Sequence, residues 1–404
     1  MRSAEATVRT LAEEWTRDLD AVAGRVFAEL RRAIPLLEDD EELRTLTLAS
    51  CISNVESLLT MLRLGIPASA VEAPVGAIEH AKAMSQRGHE VDATLHFYRV
   101  GVASLLREWN AALAERIDEK QELLAALQQS IAFSLEYIDV VSSKVSAAHL
   151  AERERLQRAV SLLRTDTVER ILSGRRVDAA AAERTLGHSL TGRQLGFVCW
   201  TEGDPEHLEA GLTAVARLAE TRPLTIQEGP RAVLGWLVPG RSAERDWRAL
   251  ERELADAAPA VLTAVGEIAY GIEGFRESHR QALAARAVAQ LATAAPPALL
   301  RYRDWALLSL LTRDPDDARA FVARELSELG KRDRSAADLR RTLLEVVRPR
   351  GGPAVAARVL GVHRNTVIQR IRRAEALRGA ALDVRPAELY TALLLDSWLS
   401  PAAQ

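Results

Sequence analysis

The sequence predicts a mainly α-helical, multidomain protein with an N-terminal helical bundle, a central ferredoxin-like α/β domain and a C-terminal helical domain built on a helix-turn-helix. Three observations carry this. Ala, Leu and Arg, all good helix formers, dominate a chain in which only 4% of residues are aromatic. Through the first 160 residues, apolar side chains recur three to four apart, the period of a helix that buries one stripe. Between Leu195 and Val265 that period gives way to short apolar runs beside turn residues, the pattern of strands. At 404 residues the chain is too long for one core, and about 100–200 residues per domain implies two to four domains.

The elements follow in order. Residues 7–34 carry Val8, Leu11, Trp15, Leu19, Val22 and Val26 on one stripe and are expected as a helix that Pro35 ends. Residues 41–64 repeat the pattern and stop at Gly65-Ile66-Pro67. A third helix runs from near Val71 to a break at Arg87-Gly88-His89, and a fourth covers 91–117. A long helix starts near Glu119 and meets few breakers before Leu172, its charged stretch around residues 151–155 reading as a connector. Amphipathic helices with short links make residues 1–160 a bundle ending in that connector.

The middle region, 165–297, is expected to contain strands at 195–200, 223–227, 232–238 and 261–265, with helices at 205–221, 242–257 and 274–291. Gly229-Pro230 sits between the second and third strands as a hairpin turn would. The order β-α-β-β-α-β-α indicates a small, mostly antiparallel α/β domain, which Pro296-Pro297 closes. Residues 298–330 read as a helical linker, and 331–404 as the last domain.

Charge is unevenly placed. Only four of the 53 basic residues are Lys, a bias that a GC-rich genome produces by itself, so distribution is more informative than number. Residues 331–378 hold thirteen Lys/Arg against four Asp/Glu, whereas the 330 residues before them are net −10. An acidic chain with one basic block concentrates its phosphate-seeking charge there.

Within that block, Pro353 suits the first position of a helix. Val355, Ala356, Val359 and Leu360 form its apolar face, Ala357 is small enough for a close helix crossing, and Gly361 is a left-handed stop. Val362 bridges the turn to a second helix starting around His363-Arg364, whose inward stripe is Val367, Ile371 and Ala374. Asn365, Gln369 and Arg372 point directly away from that stripe, with the donor–acceptor groups that base edges require. Arg364, Arg370 and Arg373 flank it, placed with His363 and Thr366 for phosphate contact or the helix start. The expected partner is double-stranded DNA.

Residues 339–347, 354–367 and 370–375, including the His363-Arg-Asn-Thr366 signature, closely resemble the C-terminal helix-turn-helix of PucR/CdaR-type transcriptional regulators. Gln369 departs from the family's usual Tyr, and Ala374 from a larger aliphatic residue. The stretch 265–282 resembles the end of the degenerate GGDEF-like domain these regulators carry, and Phe321-Val-Ala-Arg-Glu-Leu326 the segment before their DNA-binding domain. The likeness spans roughly residues 165–400. More weakly, the N-terminal bundle resembles sensor modules of such regulators and of RsbR-type stress proteins. The resemblance implies transcriptional regulation controlled by a small-molecule or protein effector, with an RsbR-like interaction module lacking an operator as the alternative.

Catalysis is not expected. A diguanylate cyclase needs a Gly-Gly-Asp/Glu-Glu-Phe hairpin, and the corresponding Gln227-Glu-Gly-Pro-Arg-Ala232 offers Glu228 as its only carboxylate. No GxxxxGK[ST] or GxGxxG loop occurs. His80, His89 and His96 include no i, i+4 pair and no neighbouring Cys, so they read as structural, with no metal or cofactor. Cys51 and Cys199 form neither a CxxC knuckle nor a disulfide framework, which suits a reducing compartment. No uninterrupted apolar run approaches about 18 residues, and the N-terminus enters a charged amphipathic helix, so the expectation is a cytoplasmic protein with no membrane partner. A helix-turn-helix usually needs two half-sites, which predicts a homodimer or larger even oligomer.

Overall fold

A computed structural model describes residues 2–219, 221–240, 247–293 and 295–399. The chain forms two compact units, Met1–Leu162 and Leu163–Gln404.

The first unit is helical. It comprises α1 (Arg2–Arg17), α2 (Leu19–Ala33), α3 (Glu41–Leu64), α4 (Val75–Gln86), α5 (Val91–Ala114) and most of α6 (Lys120–Leu172). The single helix expected over 7–34 is broken at Asp18, whose φ of −113° and ψ of 32° leave the helical range. Asp competes with helix geometry by favouring cap conformations, and here it precedes α2. The helix expected from Val71 starts instead at Val75, after Pro74, because the residue before a proline is biased toward extended backbone. Val8, Leu11, Val22, Val26 and Leu30 join Leu43, Leu59, Phe97 and Trp109 in one core. By length and composition α3 could cross a membrane, but Leu43, Val55, Leu58 and Leu59 are buried in that core.

The second unit begins with the end of α6 and α7 (Ala179–Leu186). Then follow β1 (Arg193–Thr201), α8 (Leu208–Ala216), β2 (Leu224–Gln227), β3 (Ala232–Leu237), α9 (Trp247–Ala257) and β4 (Val261–Val265). Residues 242–246 of the expected second helix lie outside the described residues. The sheet order β2-β3-β1-β4, with antiparallel neighbours throughout, is the ferredoxin-like arrangement predicted. β1 lies centrally and both its faces are covered. Leu195, Phe197 and Cys199 enter the core with residues of α8 and α9, such as Val215 and Leu254. Val198 and Trp200 instead meet Ala282 and Ala285 of α10 (Gly271–Leu291). This is the strand's two-residue period read in space. Gly196 permits the close approach of α10, since a Cβ there would stand 2.6 Å from the His279 nitrogen.

Two short strands were not anticipated. β5 (Ala269–Tyr270) pairs with the start of β1, and β6 (Leu299–Arg301) pairs parallel with β4. Their two and three residues are too few to show a period. β6 also corrects the reading of 298–330 as a linker. The rest of that stretch forms α11 (Tyr302–Leu311) and α12 (Pro315–Leu326), which place Leu308, Ala318, Val322 and Leu326 in the core of the C-terminal helices.

Those helices are α13 (Arg334–Val347), α14 (Pro353–Leu360), α15 (Arg364–Arg378) and α16 (Pro386–Leu399). A buried ion pair ties α13 to α16: Arg340 Nε lies 2.7 Å from Asp396 Oδ2, with side-chain exposures of 8% and 7%. The same guanidinium donates to the carbonyls of Leu329 (2.7 Å) and Lys331 (2.6 Å). Arg332 reaches Asp396 from a half-exposed position. Asp396→Ala is expected to destabilise this domain by about 3–5 kcal/mol, because it strands a buried guanidinium. Arg332→Ala should cost under about 1 kcal/mol. Hydrogen exchange of the α13 and α16 amides against denaturant reads both; equal costs for the two would refute the assignment.

Candidate nucleic-acid interface

α14 begins at Pro353 and ends at Gly361, whose φ of 66° is left-handed. Open space surrounds Gly361, so its backbone alone calls for glycine. The amides of Gly361 and Val362 both return to the Ala357 carbonyl, the latter at 3.0 Å, closing the helix end. His363 then caps α15: its Nδ1 accepts from the Asn365 amide at 3.2 Å. An accepting Nδ1 leaves the ring proton on Nε2, free to donate outward. The turn between the helices is three residues, Gly361 to His363, within the range of helix-turn-helix motifs.

α15 is divided as its sequence suggested. Val367 and Ala374 are fully buried and Ile371 is half-buried. Asn365, Gln369 and Arg372 are exposed on the other side, as are His363, Arg364 and Arg373. Thr366 and Ala357 are half-buried. Arg370 differs from its flank-mates: it is half-buried, and its Nη1 donates to Thr342 Oγ1 of α13 at 3.1 Å. Part of its guanidinium is thus committed to seating the helix.

The apolar face assigned to α14 needs correction. Ala356 is fully buried, but Val359 is 55% exposed. A helix of eight residues presents little more than two turns, so one residue of the nominal stripe falls outside the contact. Arg358 was not singled out from sequence. It is exposed on α14, and among the described residues neither it nor Arg364, Arg372 or Arg373 has an acidic partner. Its position two residues after Ala356, about 200° round the helix from that core residue, was the available signal. Other members of the basic block are spent internally. Arg340 is paired, and buried Arg378 donates to the carbonyls of Ala381 (2.8 Å) and Val384 (2.9 Å).

In the central domain, the β2–β3 hairpin turns at Gly229 (φ 64°), with the Glu228 amide donating to the Ala232 carbonyl at 2.9 Å. The Glu228 carboxylate is paired with Arg286, whose guanidinium also lies 5.7 Å over the Trp200 ring.

Comparison with known families agrees with these three regions in order. Residues 20–164 match the RsbT co-antagonist protein rsbRD N-terminal domain, 172–288 the GGDEF-like domain, and 339–395 the PucR C-terminal helix-turn-helix domain. The chain matches a PucR-type regulator with a GGDEF-like middle domain. No match was found among curated proteins. Among solved structures, the chain is similar to the regulator of polyketide synthase expression from Bifidobacterium adolescentis, at 17% identity. That similarity covers 58% of this chain and 92% of the other, with a TM-score of 0.30. The match to the PucR C-terminal helix-turn-helix domain supports a DNA-binding regulator.

Val367→Asp is expected to unfold α14 and α15 locally, since the new carboxylate is buried without a partner. Val359→Asp, at the exposed site, should change stability by no more than about 0.5 kcal/mol. Hydrogen exchange across residues 353–378 separates the two, and similar loss of protection in both variants would contradict the burial pattern.

Proposed function

We propose that this protein is a non-catalytic transcriptional regulator that recognises a specific DNA sequence through α15 and is controlled by an effector or partner acting on the upstream domains. One observation carries the reading. α15 buries Val367 and Ala374 and presents Asn365, Gln369 and Arg372 on its exposed side, directly after a glycine-stopped turn. On this reading those three side chains contact base edges, while Arg364, Arg373 and Arg358 hold phosphates. His363 and Thr366 set the helix start, and Arg370 both anchors α15 and approaches the backbone. Ala357, Gly361, Val367 and Ile371 maintain the geometry. The working compartment is the cytoplasm. The absence of catalysis rests on Glu228, the hairpin's only carboxylate, which Arg286 already engages.

The protein acts as a homodimer or larger even oligomer, matching two half-sites. α6 offers a pairing surface: Leu124 (49% exposed), Ile131 (38%) and Leu135 (56%) fall on one face at i, i+7 and i+11. A second reading, a protein-interaction module without an operator, is favoured by the match of residues 20–164 to the RsbRD N-terminal domain. Salt-dependent, sequence-selective DNA binding would exclude it.

Three outcomes are expected from binding titrations on a selected operator and its scrambled form across a salt series. Asn365→Ala, Gln369→Ala and Arg372→Ala should each cost about 1–3 kcal/mol on the operator and relax selectivity at one position. Arg364→Ala, Arg373→Ala and Arg358→Ala should weaken both DNAs alike and lower the salt slope by about one. Arg370→Ala should do this and also loosen α15. If the folded Asn365→Ala and Gln369→Ala proteins keep wild-type affinity and selectivity, α15 is not the reader.

For the assembly, light scattering at micromolar concentration should give an even oligomer for the wild type and a monomer for Leu124→Glu/Leu135→Glu. A wild-type monomer, with and without DNA, would overturn the dimer reading.

A further inference from the structure

The unit formed by residues 1–162 contains a cavity that DNA recognition does not use. It lies among α2, α3, α4, α5 and α6 and encloses about 540 Å³ of atom-free space, part of it open to solvent. It is a slot between helices rather than a sealed chamber. No charged residue lines it, and its walls include Val26, Leu30, Val55, Phe97 and Leu105.

One lining residue stands apart. His80 is 1% exposed, and neither of its ring nitrogens has a hydrogen-bond partner. Its ring packs edge-on to Phe97 with centroids 4.8 Å apart. Burial, with a smaller contribution from the Arg87 charge, pushes its pKa down to about 4, so the imidazole is neutral. A neutral imidazole offers one donor and one acceptor, and buried groups of this kind are nearly always paired. Other polar lining groups are already engaged. The Thr47 hydroxyl donates to the Leu43 carbonyl (2.7 Å), the Tyr98 hydroxyl to the Ala77 carbonyl (3.2 Å), and the Tyr137 hydroxyl to Asn54 Oδ1 (3.2 Å). A resident water needs two to four polar partners, which this apolar slot supplies poorly.

We propose that this slot binds a small, uncharged, mostly apolar molecule with one hydrogen-bonding head, an aliphatic alcohol or carbonyl compound, whose head pairs with His80. The absence of lining charge selects against carboxylates and ammonium groups, which would lose hydration without gaining a counterion. The inference rests on the regulator reading only in making this molecule the effector; binding itself does not depend on it.

The test titrates the full chain with 1-hexanol, hexanoate and hexylammonium at pH 7.5. Calorimetry follows binding, and ring-¹⁵N-histidine resonances report on His80. Hexanol is expected to bind, to shift the His80 ring resonances, and to bind at least tenfold more tightly than either ion. His80→Phe, which keeps the apolar packing, should weaken hexanol at least fivefold. Val102→Phe, at the half-buried rim, should weaken it tenfold by filling the slot. Absence of hexanol binding up to its solubility limit, equal affinity for hexanoate, or unchanged hexanol affinity in folded Val102→Phe overturns the proposal. Operator binding is measured alongside. DNA recognition without hexanol binding defeats this inference alone, whereas hexanol binding without DNA recognition defeats the regulator reading alone.

Discussion

A helix that leaves Asn365, Gln369 and Arg372 exposed must be held from its other side, and α15 is held chiefly by apolar burial. Val367 and Ala374 are fully buried and Ile371 is half-buried. Isolated helices shorter than about 12–15 residues are marginal in water, and α14 has only eight. Stability must therefore come from elsewhere in the unit. The core that receives Ala374 also contains Val288 of α10, Val322 of α12, Leu343 of α13 and Leu389 of α16. At about 1.5–3 kcal/mol for each fully buried large aliphatic side chain, such a core holds two short helices in place. Polar latches fix their direction. Arg378 grips the carbonyls just beyond the end of α15, Arg340 joins α13 to α16, and Trp398 Nε1 donates to the Val288 carbonyl at 2.7 Å.

How much of this was legible in the sequence depended on the length of each signal. Periodicity over many turns located α3, α5 and the full extent of α6, while Gly361 marked the end of α14 at a single residue. The outward face of α15 could be read from Val367 and Ile371, because a helix with one buried stripe leaves little freedom on the other side. What escaped was short or depended on distant residues. Asp18 interrupts a continuous apolar stripe, and stripe continuity says nothing about a one-residue break. β6 has three residues and acquires its identity only by pairing with β4. Arg370 looked equivalent to Arg373 until Thr342, 28 residues away in sequence, was brought beneath it.

The central domain shows a fold carrying different surface chemistry. Its sheet order is set by β1, buried on both faces and pinned to α10 where Gly196 admits the helix backbone. Those constraints concern packing and leave the hairpin between β2 and β3 free to vary. In this chain the hairpin carries one carboxylate, which is paired with Arg286. The packing of the sheet and its helices thus does not depend on what the hairpin carries, which fits the regulatory role proposed above.

Arginine is abundant throughout this chain, so the basic block from 331 to 378 means little as a count. Partners separate its members. Arg332 and Arg340 share Asp396, Arg341 faces Asp338, and Arg348 faces Glu345. Arg378 is buried among carbonyls, and Arg370 is shared with Thr342. The exposed cations on α14 and α15 without an acidic partner among the described residues are Arg358, Arg364, Arg372 and Arg373. An exposed guanidinium that is already paired must give up that partner before it can neutralise a phosphate, whereas an unpaired one exchanges only water and counterions. Arg334 and Arg350 are also exposed without an acidic partner among the described residues, so four of the six such cations in the block lie on α14 and α15, the two helices proposed to meet DNA.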